Sequence, residues 1–438
     1  MLFLYSNDLH ADALLTANIM FSIWQFSTFL QKRHALNFLL AFTGAGLAMI
    51  TKGPVGLAVP AFAVASHLMM KGNWRQLISP VWLGGLPVLG IILFPVLKSN
   101  YDTFGWEGIE FFFWTNNAGR ISGEYAGNNT DFFFYLHTML YIFLPWSLFA
   151  LGALIWQARY LNMKKHIFQK RPEYFTYGAL LIYTFILSIA RQKAPHYFFP
   201  MVPLLSIIVA DFIVKICETP ALQKWYNAFL SFRTLLVVLM WMVLFLMVIL
   251  IFPSDSFVLW GLIFSCLAFL TVLWHIFRYS TQGKLIVPLI ATAISFNLVL
   301  NIHFFPNVYQ YQGVIQAAYQ YNDLAEDSED VYAFLLHQFE AYFYPKKVAQ
   351  KIKALEDMDR DLQHLGGWFI TTSEGYDILK QSDHGEFKHE EIFPHRKISR
   401  MNLTFLNPET RNKDLKKIYL LKLSPNSQTS HIKDKFPE

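Results

Sequence analysis

"RQKAPHYFFP", residues 191–200, lies between two long apolar runs, "LLIYTFILSIA" before it and "MVPLLSIIVADFIV" after it. Pro195 and Pro200 stop a plain helix from running straight through. The stretch is therefore a polar turn between two apolar helices, with Arg191, Lys193, His196 and Tyr197 held at what reads as a membrane edge. The rest of the chain agrees. Hydrophobic residues make up 54% of the 438 and charged residues only 15%, where soluble domains carry about 25% charged residues. Apolar stretches near bilayer length, about 20 residues each, recur from residue 12 to 304. The pI near 8.9 reflects membrane topology rather than nucleic-acid binding. Cys217 and Cys266 both fall in apolar runs and imply neither a disulfide framework nor a metal cluster. "MLFLY" is too short for a signal peptide and lacks a basic flank.

Ten spans are expected, at 12–30, 35–51, 54–70, 77–97, 132–157, 174–190, 197–216, 233–252, 256–276 and 284–304. A long polar segment, 98–131, separates the fourth from the fifth. The links between spans, taken alternately, carry fourteen cations on one side (Lys32 to Lys284) and five on the other: Lys52, Lys98, Arg120, Arg191 and Lys193. The fourteen-cation side is cytoplasmic, so residues 98–131 and 191–200 face outward, as do both chain ends. The fold class is an all-α polytopic membrane protein with a small C-terminal α/β soluble domain. Residues 1–305 form the membrane domain, 306–425 the extracytoplasmic domain, and 426–438 a disordered tail. In the soluble part "VYAFLL" (331–336), "GWFITTS" (367–373), "NLTFLNP" (402–408) and "KIYLLKL" (417–423) are expected strands. "KKVAQKIKALEDMDRDLQHL" and "EGYDILKQS" are expected helical or loop segments between them. "NLT" matches a glycosylation acceptor, a short pattern of little weight.

Ionisable groups at helix ends on one side carry the functional signal, because charge in a membrane is costly without a partner or ligand. Asp12 opens the first span, where it either favours the positive helix end or serves a site. Lys52 stands at the outward turn "TKGP"; alone it reads as a snorkelling lysine. In the long outward segment, Arg120 is the single cation between residues 99 and 158, surrounded by Asn117 and Glu124, with aromatic runs suited to an interfacial helix. Arg191, Lys193 and Tyr197 suit an embedded anion, since arginine grips phosphate through its fork and lysine as a point charge. His196 reads first as an interfacial polar residue. The anion that best fits is the phosphate of a lipid-linked substrate.

"ADALLTA" (11–17), "ITKGPVGLAVP" (50–60), "FFFWTNNAGRISG" (111–123) with "FFFYLHTMLYIFLPWS" (132–147), and "RQKAPHYFFPMVPLL" (191–205) together resemble a known family. They are similar to the bacterial integral-membrane glycosyltransferases related to dolichyl-phosphate-mannose protein mannosyltransferases and to the lipid A aminoarabinose transferase. The resemblance covers residues 1–305 in order and spacing. It implies a GT-C type bundle of about thirteen spans, a polyprenyl-phosphate sugar donor, and transfer on the outer membrane face with inversion. Asp12 carries over as the catalytic-cavity carboxylate. Lys193, Pro195, Tyr197 and Arg120 carry over as donor-phosphate contacts, joined by Lys52 and Arg191. Asn117, Glu124 and His196 are assigned to the substrate. His10 departs from the pattern, which has arginine there.

The family's catalytic carboxylate lies in the first outer loop. Ten spans against thirteen, and an outward N-terminus, lead to the expectation that three spans precede Met1 and that the chain alone lacks this carboxylate and is inactive. No His/Glu spacing marks ligands for a divalent metal, and no cofactor is assigned, although a divalent metal is compatible with the chemistry. The expected partners are the bilayer of a bacterial inner membrane, the polyprenyl-phosphate-sugar donor, and a lipid, glycan or protein acceptor; nucleic acid is not among them. Two competing classes are a transporter or flippase of lipid-linked sugars and a non-catalytic membrane scaffold. Transporters place polar groups at the midplane of repeated, broken helices, whereas here they gather at one face.

The topology is checked by cysteine labelling in a Cys217→Ser, Cys266→Ser background. Arg120→Cys and Lys193→Cys are expected to react with an impermeant maleimide from outside, and Arg75→Cys only after permeabilisation. Labelling of positions 120 and 193 from opposite sides would remove the shared outer site.

Overall fold

In the computed structural model, the described residues are 10–123, 128–163, 173–352, 367–381, 387–397 and 401–423. Among them, seven helices are long and apolar enough to cross a membrane, and Val55–Met70, Ser147–Ala158 and Phe175–Ile189 are shorter apolar helices. These ten fall on the ten expected spans. Backbone groups in lipid must be satisfied within the segment, which makes each apolar run a helix. The outward side chains confirm the environment: Trp24, Ile91, Phe94 and Phe264 are each at least 60% exposed, a surface unsupportable in water at this density.

The chain divides into two compact units. One comprises residues 1–236 with 277–289, the other 237–276 with 290–438. The first unit is built on α1 (Asp12–Lys32), α2 (Ala35–Lys52) and α3 (Val55–Met70). α1 and α2 are antiparallel and lie unusually close. A Cβ on Gly44 of α2 would stand 3.1 Å from both the Asn18 carbonyl and the Ser22 nitrogen of α1. The approach is fixed by polar contacts: Ser22 Oγ donates to the Ala41 carbonyl at 2.8 Å, and Asn37 Nδ2 to Gln25 Oε1 at 2.6 Å. Small residues and cross-helix hydrogen bonds of this kind hold helices together where lipid supplies no hydrophobic drive. Then come α4 (Leu86–Glu110), α5 (Phe134–Ile142), α6 (Ser147–Met163), α7 (Phe175–Ile189), α8 (Val202–Glu218) and α9 (Gln223–Leu246).

Three expectations need correction here. The single span at 132–157 is two helices, since Pro145 cannot continue the helix begun by α5. The polar segment after residue 97 is largely helical: α4 continues to Glu110, with a break at Gly105 where φ is 64°. A π-helical turn at Phe111–Thr115 and a short helix at Ala118–Ser122 follow. Residues 195–201 form a 3-10 turn before α8, because two prolines deny it α-helical hydrogen bonds.

The second unit joins the end of α9 from residue 237, α10 (Phe257–Phe277) and the part of α11 (Thr281–Val299) from residue 290 onward to the soluble domain. Its sheet has the order β2-β1-β3-β5-β4, with β1 (Val331–Phe334), β2 (Gln350–Ile352), β3 (Trp368–Thr372), β4 (Phe387–His395) and β5 (Lys416–Leu423). β1 runs parallel to β2 and β3, while β5 is antiparallel to β3 and β4. Strand alternation sorts side chains onto two faces. Val331, Ala333, Trp368, Ile370, Ile418 and Leu420 pack on α12 (Gly313–Leu324), and Tyr332, Phe334, Phe369, Tyr419 and Leu421 on the opposite side. α13 (Ser373–Gln381) covers that second face through Leu379. The small α/β domain is thus present. "NLTFLNP" is not a strand: Asn402 Oδ1 accepts from the Phe405 amide and caps a helical turn at Leu403–Leu406. β4 escaped notice because an edge strand carries charge and proline to discourage further pairing. The segments 353–366 and 424–438 lie outside the described residues.

Glu329 ties the sheet together. Its carboxylate meets Lys422 Nζ at 2.5 Å and accepts from Trp368 Nε1 at 2.8 Å and the Glu326 amide at 3.2 Å. Burial by itself raises the Glu329 pKa, but the bonds from Lys422, Trp368 and Glu326 outweigh it and hold the carboxyl below its usual range. A depressed folded pKa contributes stability above the unfolded value of about 4.3, lost as pH falls through the folded value. Amide exchange at residues 368–372 in the full chain should therefore accelerate as pH drops below about 4.3, after correction for intrinsic exchange. Glu329→Gln should flatten that dependence; an unchanged profile in the variant would assign the acid sensitivity elsewhere.

Candidate functional site

Asp12, Lys52, Arg120, His196 and Tyr197 meet at one end of the helices. Asp12 occupies the first position of α1, where the positive helix terminus favours a carboxylate. It is 2% exposed, and Lys52 Nζ lies 2.5 Å from its Oδ1. Lys52 is the last residue of α2, so the antiparallel packing of α1 on α2 brings the two together. Gly53, with φ 78°, terminates α2 there, a conformation that favours glycine. A Cβ on it would stand 2.9 Å from Asn117 Nδ2. Asn117 in turn donates to the Phe112 carbonyl at 2.9 Å.

Tyr197 is the centre of the cluster. Arg120 Nη1 lies 2.5 Å from its hydroxyl, the Arg120 guanidinium 5.8 Å from its ring centroid, and Lys52 Nζ 4.8 Å from the same centroid. Backbone bonds set Arg120 in place: Gln192 N donates to the Arg120 carbonyl at 3.0 Å, Arg191 N to Ile121 at 3.3 Å, and Asn129 N to Arg191 at 2.9 Å. Gly123, at φ 88°, lies so close that a Cβ there would stand 2.8 Å from Arg191 Cδ. Two cations against one carboxylate leave a net positive cluster, a ready anion site.

The remaining expected residues are distributed around it. Lys193 donates to the Ser188 carbonyl at 2.8 Å and to the Ala190 carbonyl, capping the end of α7. Arg191 is exposed beside Gly123. His196 is stacked edge-on against Tyr197, with centroids 4.6 Å apart. Glu124 lies outside the described residues. Sequence reasoning did not place His10 in the site. Its ring stacks on His196 with centroids 4.5 Å apart and planes at 22°; the two are 186 positions apart, and nothing local to either signals the meeting.

A cavity of about 870 Å³ opens beside this cluster. Its wall follows α1 from Ala13, next to Asp12, through Thr16, Met20 and Trp24 to Ser27, opposite Phe175 and Phe199. The lining is predominantly apolar.

The fold is that of a mostly helical, multi-pass membrane protein with a small C-terminal sheet domain, and the comparisons with known proteins find its likeness among membrane glycosyltransferases of the GT-C type. The structure matches ArnT from Cupriavidus metallidurans bound to undecaprenyl phosphate with a TM-score of 0.63 at 14% identity, over 94% of this chain and 73% of that one. The dolichyl-phosphate-mannose-protein mannosyltransferase family model matches residues 1–98. An undecaprenyl phosphate-alpha-4-amino-4-deoxy-L-arabinose arabinosyl transferase of Edwardsiella ictaluri is 25% identical over 185 residues, 41% of this chain and 31% of the relative. An uncharacterized protein of Aquifex aeolicus is 28% identical over 221 residues, 50% of this chain and 41% of that protein. The matched stretches thus span less than half of either relative.

Removing Lys52 leaves the buried Asp12 carboxylate without its ion partner. Lys52→Ala should cost about 2 kcal/mol, less than the 3–5 of a fully buried pair because the lysine is partly exposed. Adding Asp12→Asn should restore most of that loss, as read by thermal unfolding in detergent. Strictly additive losses would show that the pair is not coupled.

Proposed function

We propose that the chain carries the donor site for transfer of a sugar from a polyprenyl phosphate to a lipid, glycan or protein acceptor on the outer face of a bacterial inner membrane. The observation that carries this reading is the Lys52–Tyr197–Arg120 cluster, held against Asp12, beside an apolar cavity whose wall begins at the next residue, Ala13. A lipid phosphate needs both at once: cations for the headgroup and an oily channel for the tail. The wall from Ala13 to Ser27 runs roughly 21 Å at the helical rise, long enough for several isoprene units.

In this reading Lys52 and Arg120 hold the donor phosphate, and Tyr197 donates its hydroxyl. The acceptor oxygen or nitrogen attacks the anomeric carbon as the bond to the phosphate oxygen breaks, and the acceptor's proton passes to the departing phosphate. Negative charge grows on the departing phosphate, and preorganised cations in a poorly solvated cavity stabilise it. Asp12, the carboxylate in contact with the cluster, aims the Lys52 ammonium. Arg191 and Lys193 add positive potential at the entrance, and Asn117 and His196 face the sugar. Glu124 is proposed for the same task on sequence grounds alone. The arabinosyl transferase relatives and the ArnT structure with undecaprenyl phosphate support the donor class.

The test uses the full chain in detergent, with native mass spectrometry to follow undecaprenyl phosphate binding. Lys52→Ala and Arg120→Ala are each expected to weaken lipid-phosphate binding about tenfold. Lys346→Ala, on the soluble domain, should leave it unchanged. Wild-type binding in both site variants would overturn the proposal.

A further inference from the structure

We propose that His10, Asp12 and His196 form a binding site for a divalent cation of the zinc class. One ligand atom from each of the three lies within 4.8 Å of the others. The three come from two separate parts of the chain: His10 and Asp12 from the start of α1, His196 from the 3-10 turn before α8. Convergence of two imidazoles and a carboxylate from distant segments is more than a local run of polar residues can produce.

The donor set indicates the ion. Two imidazole nitrogens and one carboxylate oxygen suit zinc, cobalt or nickel, whereas magnesium and calcium favour all-oxygen shells. Three protein ligands leave a fourth tetrahedral position open, the pattern of reactive rather than structural zinc sites. Zinc–nitrogen distances of about 2.0–2.1 Å require the ligand atoms to close to roughly 3.4 Å. The exposed His10 ring can turn off its stack on His196 to allow this. Asp12 presents two oxygens. Lys52 holds Oδ1, and a carboxylate can serve a cation through the other.

Lys52 and Arg120 oppose a second positive centre so near. An anion bound at the cluster offsets them, so the open position suits a phosphate oxygen. That role for the fourth ligand rests on the lipid-phosphate reading above. The metal site itself rests on the three side chains alone.

The test is cobalt(II) titration of the full chain, purified without a histidine tag and stripped with chelator, reading the visible absorption of tetrahedral cobalt. One equivalent is expected to bind, and zinc should displace it. His10→Ala and His196→Ala should each weaken binding at least ~10-fold, since even outer-shell losses cost that much. His137→Ala should leave it unchanged, and Lys52→Ala should tighten it by removing the competing ammonium. No tetrahedral absorption, or wild-type affinity in the His10→Ala and His196→Ala variants, overturns the site. Cobalt binding in a chain that fails to bind undecaprenyl phosphate would defeat the donor reading and leave the metal site standing.

Discussion

A buried charge in a helical bundle must be answered, and the Asp12–Lys52 pair is the answer on which this site depends. An uncompensated carboxylate at 2% exposure would be strongly unfavourable. The pair forms only if α1 begins where α2 ends, so it fixes the relative height of the two helices. The Gly44 contact and the Ser22 and Asn37 hydrogen bonds set their separation. With both set, the Lys52 ammonium on Asp12 lies 4.8 Å from the centre of the Tyr197 ring. Every other element of the cluster is placed against that point.

The second constraint is backbone, not side chain. Residues 120 and 121 accept hydrogen bonds from 192 and 191, so the chain after α4 is laced to the turn before α8. Arg120 therefore reaches Tyr197 from a segment that hydropathy alone reads as a loop. Glycines at 53 and 123 let these segments approach where a side chain would collide with Asn117 or Arg191. A cluster of cations built this way is held in place by backbone bonds and close packing before any ligand arrives, the condition under which electrostatic stabilisation has its greatest effect.

What the sequence made legible follows from periodicity and composition. The ten apolar segments were readable because lipid imposes one solution on any long apolar run. Asp12, Lys52, Arg120 and Tyr197 were readable as polar residues at helix ends on one side, although their mutual contacts were not. Lys193 shows the limit: its charge and position in "RQKAPHY" suggested an anion contact, while in the fold its ammonium caps α7. A lysine within reach of free carbonyls at a helix end has a local partner, and sequence cannot rank that partner against a ligand. His10 was invisible for another reason, since its neighbour is made by tertiary packing. β4 was missed because an exposed edge strand need not look apolar.

The soluble domain is joined to its helices by a different device. Arg411 is 8% exposed and lies over the Phe252 ring at 4.3 Å and the Phe405 and Tyr311 rings at 5.5 and 5.6 Å. Its guanidinium donates to the Phe405 carbonyl at 2.9 Å and to the Ile251 carbonyl. Ile251 and Phe252 end the π-helical turn that follows α9, where backbone carbonyls are left without helical partners. One arginine thus satisfies the end of a membrane helix and, through Phe405, anchors the turn that precedes β5. Phe405 also belongs to the apolar cluster of Trp241, Phe252, Ile263 and Val299. A guanidinium suits this position better than an ammonium, because its flat face stacks on aromatics while its edge donates in several directions. The soluble domain is therefore set on its helices by directional bonds inside an aromatic cage. Apolar contact alone would leave it free to rotate; the fixed fork of donors does not.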